Sequence, residues 1–304
     1  MRLFLGIIVS SLLLLSVAAN PARAQQPYTI TQSYSITLIQ HANSRVYIEG
    51  LNNRDQAVGW NDSHGLVYEA GNFYELDYPA AIATELLAIN DRGDIIGLAQ
   101  VGNDWVYFLY ANGAFSRLEL PGVFAQPADI NNRGEIVGTY YDANGIAHGF
   151  LYADALTQTV DVPGSTRTSL AGINDRGEIV GTDDASAFVY SGRTFTAVTL
   201  PGTPEDINNR GQIVGTTYVQ AGGIFLERAY VFDRGTQNWF VVPDSVFCDR
   251  GLIQGASLAK AINDQGDVAG YWQGYSSGGG FIARPDHPVR PSELTVGTCH
   301  RERE

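Results

Sequence analysis

The sequence predicts an all-β fold: a six-bladed β-propeller of four-stranded blades, closed by an N-terminal strand that completes the last blade. Three observations predict it. A nine-residue phrase recurs six times along the 304 residues, an aromatic strand pattern follows every copy, and the last repeat lacks a fourth strand that the N-terminus can supply. Composition agrees. With 34 glycines and 11% aromatic residues the chain suits strands and tight turns; disordered chains lack such aromatic content and collagen needs far more glycine.

The phrase is clearest as Ile89-Asn90-Asp91-Arg92-Gly93-Asp94-Ile95-Ile96-Gly97, and it returns from Ile130, Ile173, Ile207 and Ile262. A degraded copy starts at Leu51. The starts lie 38, 41, 43, 34 and 55 residues apart, a spacing that suits one supersecondary unit per repeat. Each phrase reads as a hairpin. Asn-Asn or Asn-Asp opens the turn because short polar side chains bond to nearby backbone. A glycine, such as Gly93 or Gly134, then supplies φ > 0 and the chain returns on an apolar pair. The first copy has Asp55 at that position. Asp tolerates the left-handed region better than most residues, so a strained turn is expected there.

The third strand of each unit is Leu66-Val67-Tyr68, Tyr107-Phe108-Leu109-Tyr110, Phe150-Leu151-Tyr152, Phe188-Val189-Tyr190, Tyr230-Val231-Phe232 and Phe281-Ile282-Ala283. The fourth alternates apolar and polar residues, as in Phe115 to Leu120 and in Val160-Asp161-Val162, which marks one buried face. After Ala283 the tail is interrupted by Pro285, Pro288 and Pro291. Tyr34 to Ile39, ahead of the first phrase, is an orphan fourth strand. Pairing it with the last three strands closes a ring, whereas an open solenoid would leave edges unpaired. The propeller is therefore expected over residues 34–285, after a short lead at 25–33 and before a tail at 286–304.

Residues 1–24 read as a signal peptide. Met1-Arg2 begins it, Leu3 to Ala19 carries no charge, and Ala22-Arg23-Ala24 offers a small-x-small cleavage site. A membrane anchor is the alternative, but no basic stop-transfer cluster follows. The expected product is secreted or periplasmic and free of the membrane. With 19 basic and 32 acidic residues the net charge is −13, and it becomes −15 once Arg2 and Arg23 are removed. That balance argues against a nucleic-acid partner. Cys248 and Cys299, the two cysteines of an exported chain, are expected to form one disulfide that ties the tail back.

These residues resemble the bacterial extracellular HAF repeat family, named for a His-Ala-Phe triplet that follows an Ile-Asn-x-x-Gly-x-Ile-Val-Gly phrase. The triplet survives as His148-Gly149-Phe150 and, more weakly, as His64-Gly65-Leu66. Elsewhere its first position holds Val106, Ser186, Arg228 and Gly279. The resemblance covers about residues 34 to 284 and implies export and a propeller-like repeat fold. It implies no reaction.

Carboxylates within the phrases (Asp91 and Asp94, Asp175 and Glu178, Asp264 and Asp267) invite a calcium reading. Two side chains per turn fall short of the six to eight oxygens calcium takes, so structural turns are expected and no metal or cofactor. His41, His64, His148, His287 and His300 form no zinc-ligand spacing. No nucleophile elbow, His-Glu-x-x-His helix or phosphate loop occurs.

Propeller geometry places the phrase turns on one face and the variable loops on the other. Candidate ligand-binding residues on the variable face are Trp60, Asp62, Trp105, Tyr140, Tyr141, Asp142 and Arg167. Asp183, Asp184, Tyr218, Tyr271, Trp272 and Tyr275 complete that set. Rings that stack on sugars beside acids that bond hydroxyls suit a glycan, and aromatics also suit a protein partner. Just ahead of the phrases, Glu49, Asp129, Glu205, Asp206 and Lys260 lie on channel-lining strands. An acidic pair could face the lone lysine there, as an ion pair or, with a sugar-sized cleft, as glycosidase carboxylates. The expected function is a non-catalytic binding platform. A carbohydrate-active hydrolase or lyase, or a purely structural envelope protein, is the alternative.

Overall fold

A computed structural model describes residues 34–41, 44–221, 224–235, 238–241, 256–273 and 278–286. Residues 1–33, Tyr275, Cys248, Cys299 and the tail after Asp286 lie outside the described residues. The described chain holds 24 strands and no helix. β1 (Tyr34–Ile39) comes first. Blade one is β2 (Tyr47–Leu51), β3 (Ala57–Asn61), β4 (His64–Glu69) and β5 (Asn72–Glu75); blade two is β6 (Ala83–Ile89), β7 (Ile95–Val101), β8 (Asp104–Ala111) and β9 (Ala114–Arg117). Blade three is β10 (Phe124–Ile130), β11 (Ile136–Tyr141), β12 (Ala147–Ala153) and β13 (Leu156–Thr159). Blade four is β14 (Thr168–Ile173), β15 (Ile179–Asp183), β16 (Ala187–Ser191) and β17 (Thr194–Val198). Blade five is β18 (Thr203–Ile207), β19 (Gln212–Ala221), β20 (Ile224–Asp233) and β21 (Asn238–Val241). Blade six is β22 (Ala256–Ile262), β23 (Val268–Gln273) and β24 (Gly278–Pro285), with β1 as its fourth strand. The closure is antiparallel, with Tyr34 opposite Pro285 and Ile39 opposite Gly280.

Six apolar cores, one between each pair of neighbouring blades, hold the ring. Val58 of blade one packs with Leu86, Ile89 and Phe108 of blade two, for example. Ile39, Ile48 and Leu66 pack with Ala261, Ala269 and Ile282 across the closing seam. A blade buries both faces only because it has two neighbours, so the closed ring removes the apolar surface an open solenoid would leave at its ends.

Each phrase forms the β-hairpin expected of it. Asn90 shows how: its backbone N–H donates to Asp94 O, and its side-chain oxygen accepts the N–H of Arg92 and of Asp94. Its amide nitrogen reaches the next blade and donates to Asn131 O at 3.0 Å. Asn52, Asn131, Asn174, Asn208 and Asn263 repeat that cross-blade bond, and Asn263 returns it to Asn52 at 3.4 Å. The next position alternates around the ring as Asn53, Asp91, Asn132, Asp175, Asn209 and Asp264. Each of the three Asn amides bridges its two flanking carboxylates, as Asn132 does to Asp91 at 2.7 Å and to Asp175 at 2.9 Å. Alternation of donor and acceptor can close only on an even number of blades.

The turn glycines have a second reason besides φ. A Cβ on Gly134 would lie 2.9 Å from the Arg92 guanidinium of the preceding blade, and one on Gly177 would lie 2.7 Å from that of Arg133. Blade one, which has Asp55 at φ +61° in place of glycine, follows the one phrase without an arginine there, where Gln265 donates to Asn53 O. The relaxed steric demand and the missing arginine occur together.

Two sequence expectations are corrected. Val160-Asp161-Val162 is not a fourth strand, because β13 ends at Thr159. Asp161 instead accepts from Gly149 N–H and sits 2.7 Å from His148 Nδ1, which ties the outgoing segment back to β12, while Val162 N–H donates to Thr168 Oγ1 of the next blade. Likewise β9 stops at Arg117 rather than Leu120. Asp77 treats His64 and Gly65 as Asp161 treats His148 and Gly149. The His-Gly pair is therefore a clamp on the blade-to-blade connection.

Candidate functional site

Every inner strand carries a register shift just ahead of its phrase, and the skipped residues are Glu49, Leu87, Ala128, Ala171, Glu205 and Lys260. A bulge re-aims the extra residue, so these six positions meet around the channel. Below them, toward the phrase turns, come Gly50, Ala88, Asp129, Gly172, Asp206 and Ala261. Asp129 and Asp206 form the waist between two spaces. A funnel of about 410 Å³ opens among the Asn and Asp belts on the phrase face. A chamber of about 270 Å³ lies above, lined by Glu49, Glu205 and Lys260.

Lys260 stands between the acids of its two neighbouring blades, 3.2 Å from Glu205 and 3.7 Å from Glu49. Both carboxylates hold its ammonium pKa above the usual lysine range, Glu205 most strongly. Burial pushes the Glu49 carboxyl up, against the pull of Lys260 and a hydrogen bond from the Trp60 indole. Two residues nearer the variable face, Tyr47 stacks on Trp60 with centroids 4.3 Å apart and meets Tyr271 edge-on at 5.1 Å. Burial raises the Tyr271 phenol to about 12. The same level of the inner strands carries Glu85, Gln126, Ser169 and Thr203, with Leu258 of blade six, opposite Tyr271, as its one aliphatic member. Burial and the nearby Glu49 raise Glu85 above the ordinary carboxylate range. An aromatic trio and a polar ring thus stand at the channel mouth over a charged floor.

Asp129 and Asp206 share a side-chain hydrogen bond. Each also stitches two blades: Asp129 accepts Ile130 N–H and Ile173 N–H, and Asp206 accepts Ile207 N–H and Ile262 N–H. A Cβ on Gly172, between them, would lie 2.8 Å from Asp206 Oδ1, so blade four must yield its side chain for the pair to meet. Burial raises both carboxyls, Asp129 to about 6.

The candidate residues of the variable face divide. Trp60 and Tyr271 join the channel mouth, on strands rather than loops. Trp272 turns the other way and is buried in the core between blades five and six, because successive strand residues face opposite sides. Asp142, Asp183 and Asp184 are occupied by the loops themselves. Asp142 accepts Asn144 and Ile146 N–H, and Asp183 accepts Ala185 and Ser186 N–H. Asp184 accepts from Thr166, Ser165 and Arg167, and the Thr166 donors hold it well below the usual carboxylate range. Tyr140 stacks on His148, Tyr141 packs near Phe124, and Tyr218 donates to Glu227. Asp62 and Trp105 are exposed; Tyr275 is outside the described residues.

The phrase carboxylates are engaged by protein donors: Asp94 by Asn90 and Arg92 of its own turn, and Asp91, Asp175 and Asp264 by the Asn residues of the flanking blades. Among the described residues the one grouping at metal-ligand separation is His64, Glu75 and Asp77, all exposed. Its His64–Asp77 contact is the clamp already seen at His148–Asp161.

No family model matches the chain, and no curated protein matches it. Solved structures do. A candidate gluconolactonase aligns over 87% of this chain and 97% of its own at 11% identity, with a TM-score of 0.53. A candidate TolB from Agrobacterium tumefaciens aligns over 70% of this chain and 88% of its own at 9% identity, with a TM-score of 0.51. TolB from Acinetobacter baumannii aligns over 80% of this chain at 10% identity and a TM-score of 0.48, and this chain spans 63% of its length. Identities this low show the propeller fold alone.

Proposed function

We infer that the chain is an exported, HAF-type propeller that binds a glycan at the channel mouth on its variable face, without chemistry. One observation carries this reading. Tyr47, Trp60 and Tyr271 lie beside a ring of Glu85, Gln126, Ser169 and Thr203, directly above the Glu49–Lys260–Glu205 floor. Aromatic edges and faces suit the C–H faces of a sugar, and a mixed ring of acceptors and donors suits its hydroxyls. A glycan-array screen should return ligands, and Trp60→Ala or Glu205→Gln should weaken the best of them by about tenfold in calorimetry. An array with no ligand rejects the reading. Export rests on residues 1–24, and N-terminal sequencing of the secreted protein should begin at Gln25 rather than Met1.

A hydrolase is the second reading, because Glu49 and Glu85 are both held above the ordinary carboxylate range at the same mouth. A carboxyl raised by burial is the kind of group that general acid catalysis uses. Release of reducing ends from an array ligand would select it, with loss of that release in Glu49→Gln.

A further inference from the structure

Blades one and three both carry the histidine clamp, and they differ in one respect. His64 and His148 each stand near the start of a third strand, with an aspartate of the outgoing connection 2.7 Å from Nδ1. In blade three the two acids at His148 lie off different nitrogens, Asp161 at Nδ1 and Asp142 3.9 Å from Nε2. In blade one both acids lie off the same nitrogen: Asp77 Oδ2 is 2.7 Å and Glu75 Oε2 4.0 Å from His64 Nδ1. The clamp accounts for Asp77. It does not account for Glu75.

The strand pattern brings the three together. Leu66 is paired with Glu75 across β4 and β5, and continuing that register sets His64 against Asp77. Side chains two residues apart on an extended segment share a side, as Glu75 and Asp77 do. In blade three Thr159 holds the place of Glu75, opposite Phe150, and its hydroxyl lies 2.9 Å from that of Tyr140. The Asp77 carboxylate is fixed by its other oxygen: Oδ1 accepts Gly65 N–H at 3.0 Å, which leaves Oδ2 to the ring. Among the described residues no lysine or arginine pairs with Glu75 or Asp77. Asp62 adds a third carboxylate whose charge reaches the His64 ring.

We propose that His64, Glu75 and Asp77 bind a zinc ion at the rim of the variable face, with its remaining coordination positions open to water. One imidazole nitrogen and two carboxylates suit zinc, which takes His N and Asp or Glu O at about 2.0–2.2 Å and keeps an open position where the protein supplies three ligands. The three ligand atoms already lie within 4.8 Å of one another. Two ligands of a tetrahedral zinc are about 3.3 Å apart. The 2.7 Å contact must therefore open and the 4.0 Å one close, each by well under an ångström. All three side chains are exposed, so these rotations disturb no core. Calcium and magnesium fit less well, because those hard cations take oxygen and the acids here converge on a ring nitrogen. The ion takes the place of the hydrogen between Nδ1 and Asp77 and leaves the ring proton on Nε2. It keeps the clamp closed and adds the end of β5 to it.

The test is titration calorimetry of the whole protein with zinc chloride at neutral pH, where a site of micromolar affinity is expected. Glu75→Thr installs the blade-three residue on an exposed edge strand. It should keep the melting temperature of the metal-free wild type and weaken zinc at least about tenfold. Zinc should raise the melting temperature of the wild type but not that of Glu75→Thr. In histidine NMR, zinc should move the Nδ1 signal of His64 and leave that of His148 in place. An excess of calcium or magnesium should not compete. Absence of zinc binding in the wild type, or affinity unchanged in Glu75→Thr, would overturn the proposal. Loss of the site in His287→Ala/His300→Ala would overturn it too, by moving the ion to the tail. None of the three ligands belongs to the channel mouth, so this proposal and the glycan reading can fail separately.

Discussion

Replacing Lys260 with methionine is expected to cost about 3 kcal/mol of folding stability at pH 7, measured by urea denaturation. The side chain is 22% exposed and lies between Glu49 and Glu205, which are 18% and 31% exposed. Methionine matches its length, so packing is nearly kept and the main loss is compensation of two poorly solvated carboxylates. Removing one partner of such a group costs far more than the group itself contributes, because the remaining charges stay desolvated. The pH dependence separates this from a packing defect. Burial already lifts Glu49 and Lys260 holds it down. Without the lysine it should take up a proton more readily, so the deficit should shrink as pH falls toward about 4.5. A deficit equal at both pH values would show that the charge balance was not what the lysine supplies. Glu49→Gln/Glu205→Gln/Lys260→Met should recover most of the loss, since it leaves no charge to compensate.

Much of the ring is legible in the residues, and for a stated reason. Phrase, aromatic third strand and orphan N-terminal strand are local patterns, and blade number and closure follow from counting them. The meeting of Lys260 with Glu49 and Glu205 is also visible, because equivalent positions in adjacent repeats must be neighbours. What escapes is whatever depends on which way a side chain is turned and what it bonds to once the blades stand side by side. Asn53, Asp91 and Asn132 read as turn formers from sequence; their alternation becomes a belt only when blades stand side by side. The inner-strand bulges leave no periodic signature, since one skipped residue looks like ordinary alternation out of phase. Trp272 and Tyr271 are adjacent and look alike in sequence, yet strand parity sends one into the core and the other to the channel mouth. Val160-Asp161-Val162 alternates as a strand does and is a connection, because Asp161 has a histidine to hold.

Wild-type stability is expected to fall by on the order of 3 kcal/mol as pH rises from about 4 to about 7, through the Asp129–Asp206 pair. An unfolded aspartate ionises near pH 3.9. In the fold, burial holds Asp129 at about 6 and Asp206 above its usual range, so the native state binds protons that the unfolded chain has released. The pair's contribution is therefore full below the unfolded pKa and is lost as pH rises through the folded values. Asp206→Asn should change the shape of that curve rather than shift it. At pH 4 the variant should be less stable by about 1–2 kcal/mol, because an amide cannot accept both the Ile207 and Ile262 N–H groups that the carboxyl accepts. At pH 8 the wild type must hold two carboxylates against each other across Gly172, while the variant holds one. The gap should close or reverse there. Glu49 and Glu85, also raised by burial, tilt both curves equally and cancel in the difference. Parallel curves from pH 4 to 8 would mean that the two aspartates do not share a proton, and that their role is only to bond the four backbone N–H groups that link blades three to four and five to six.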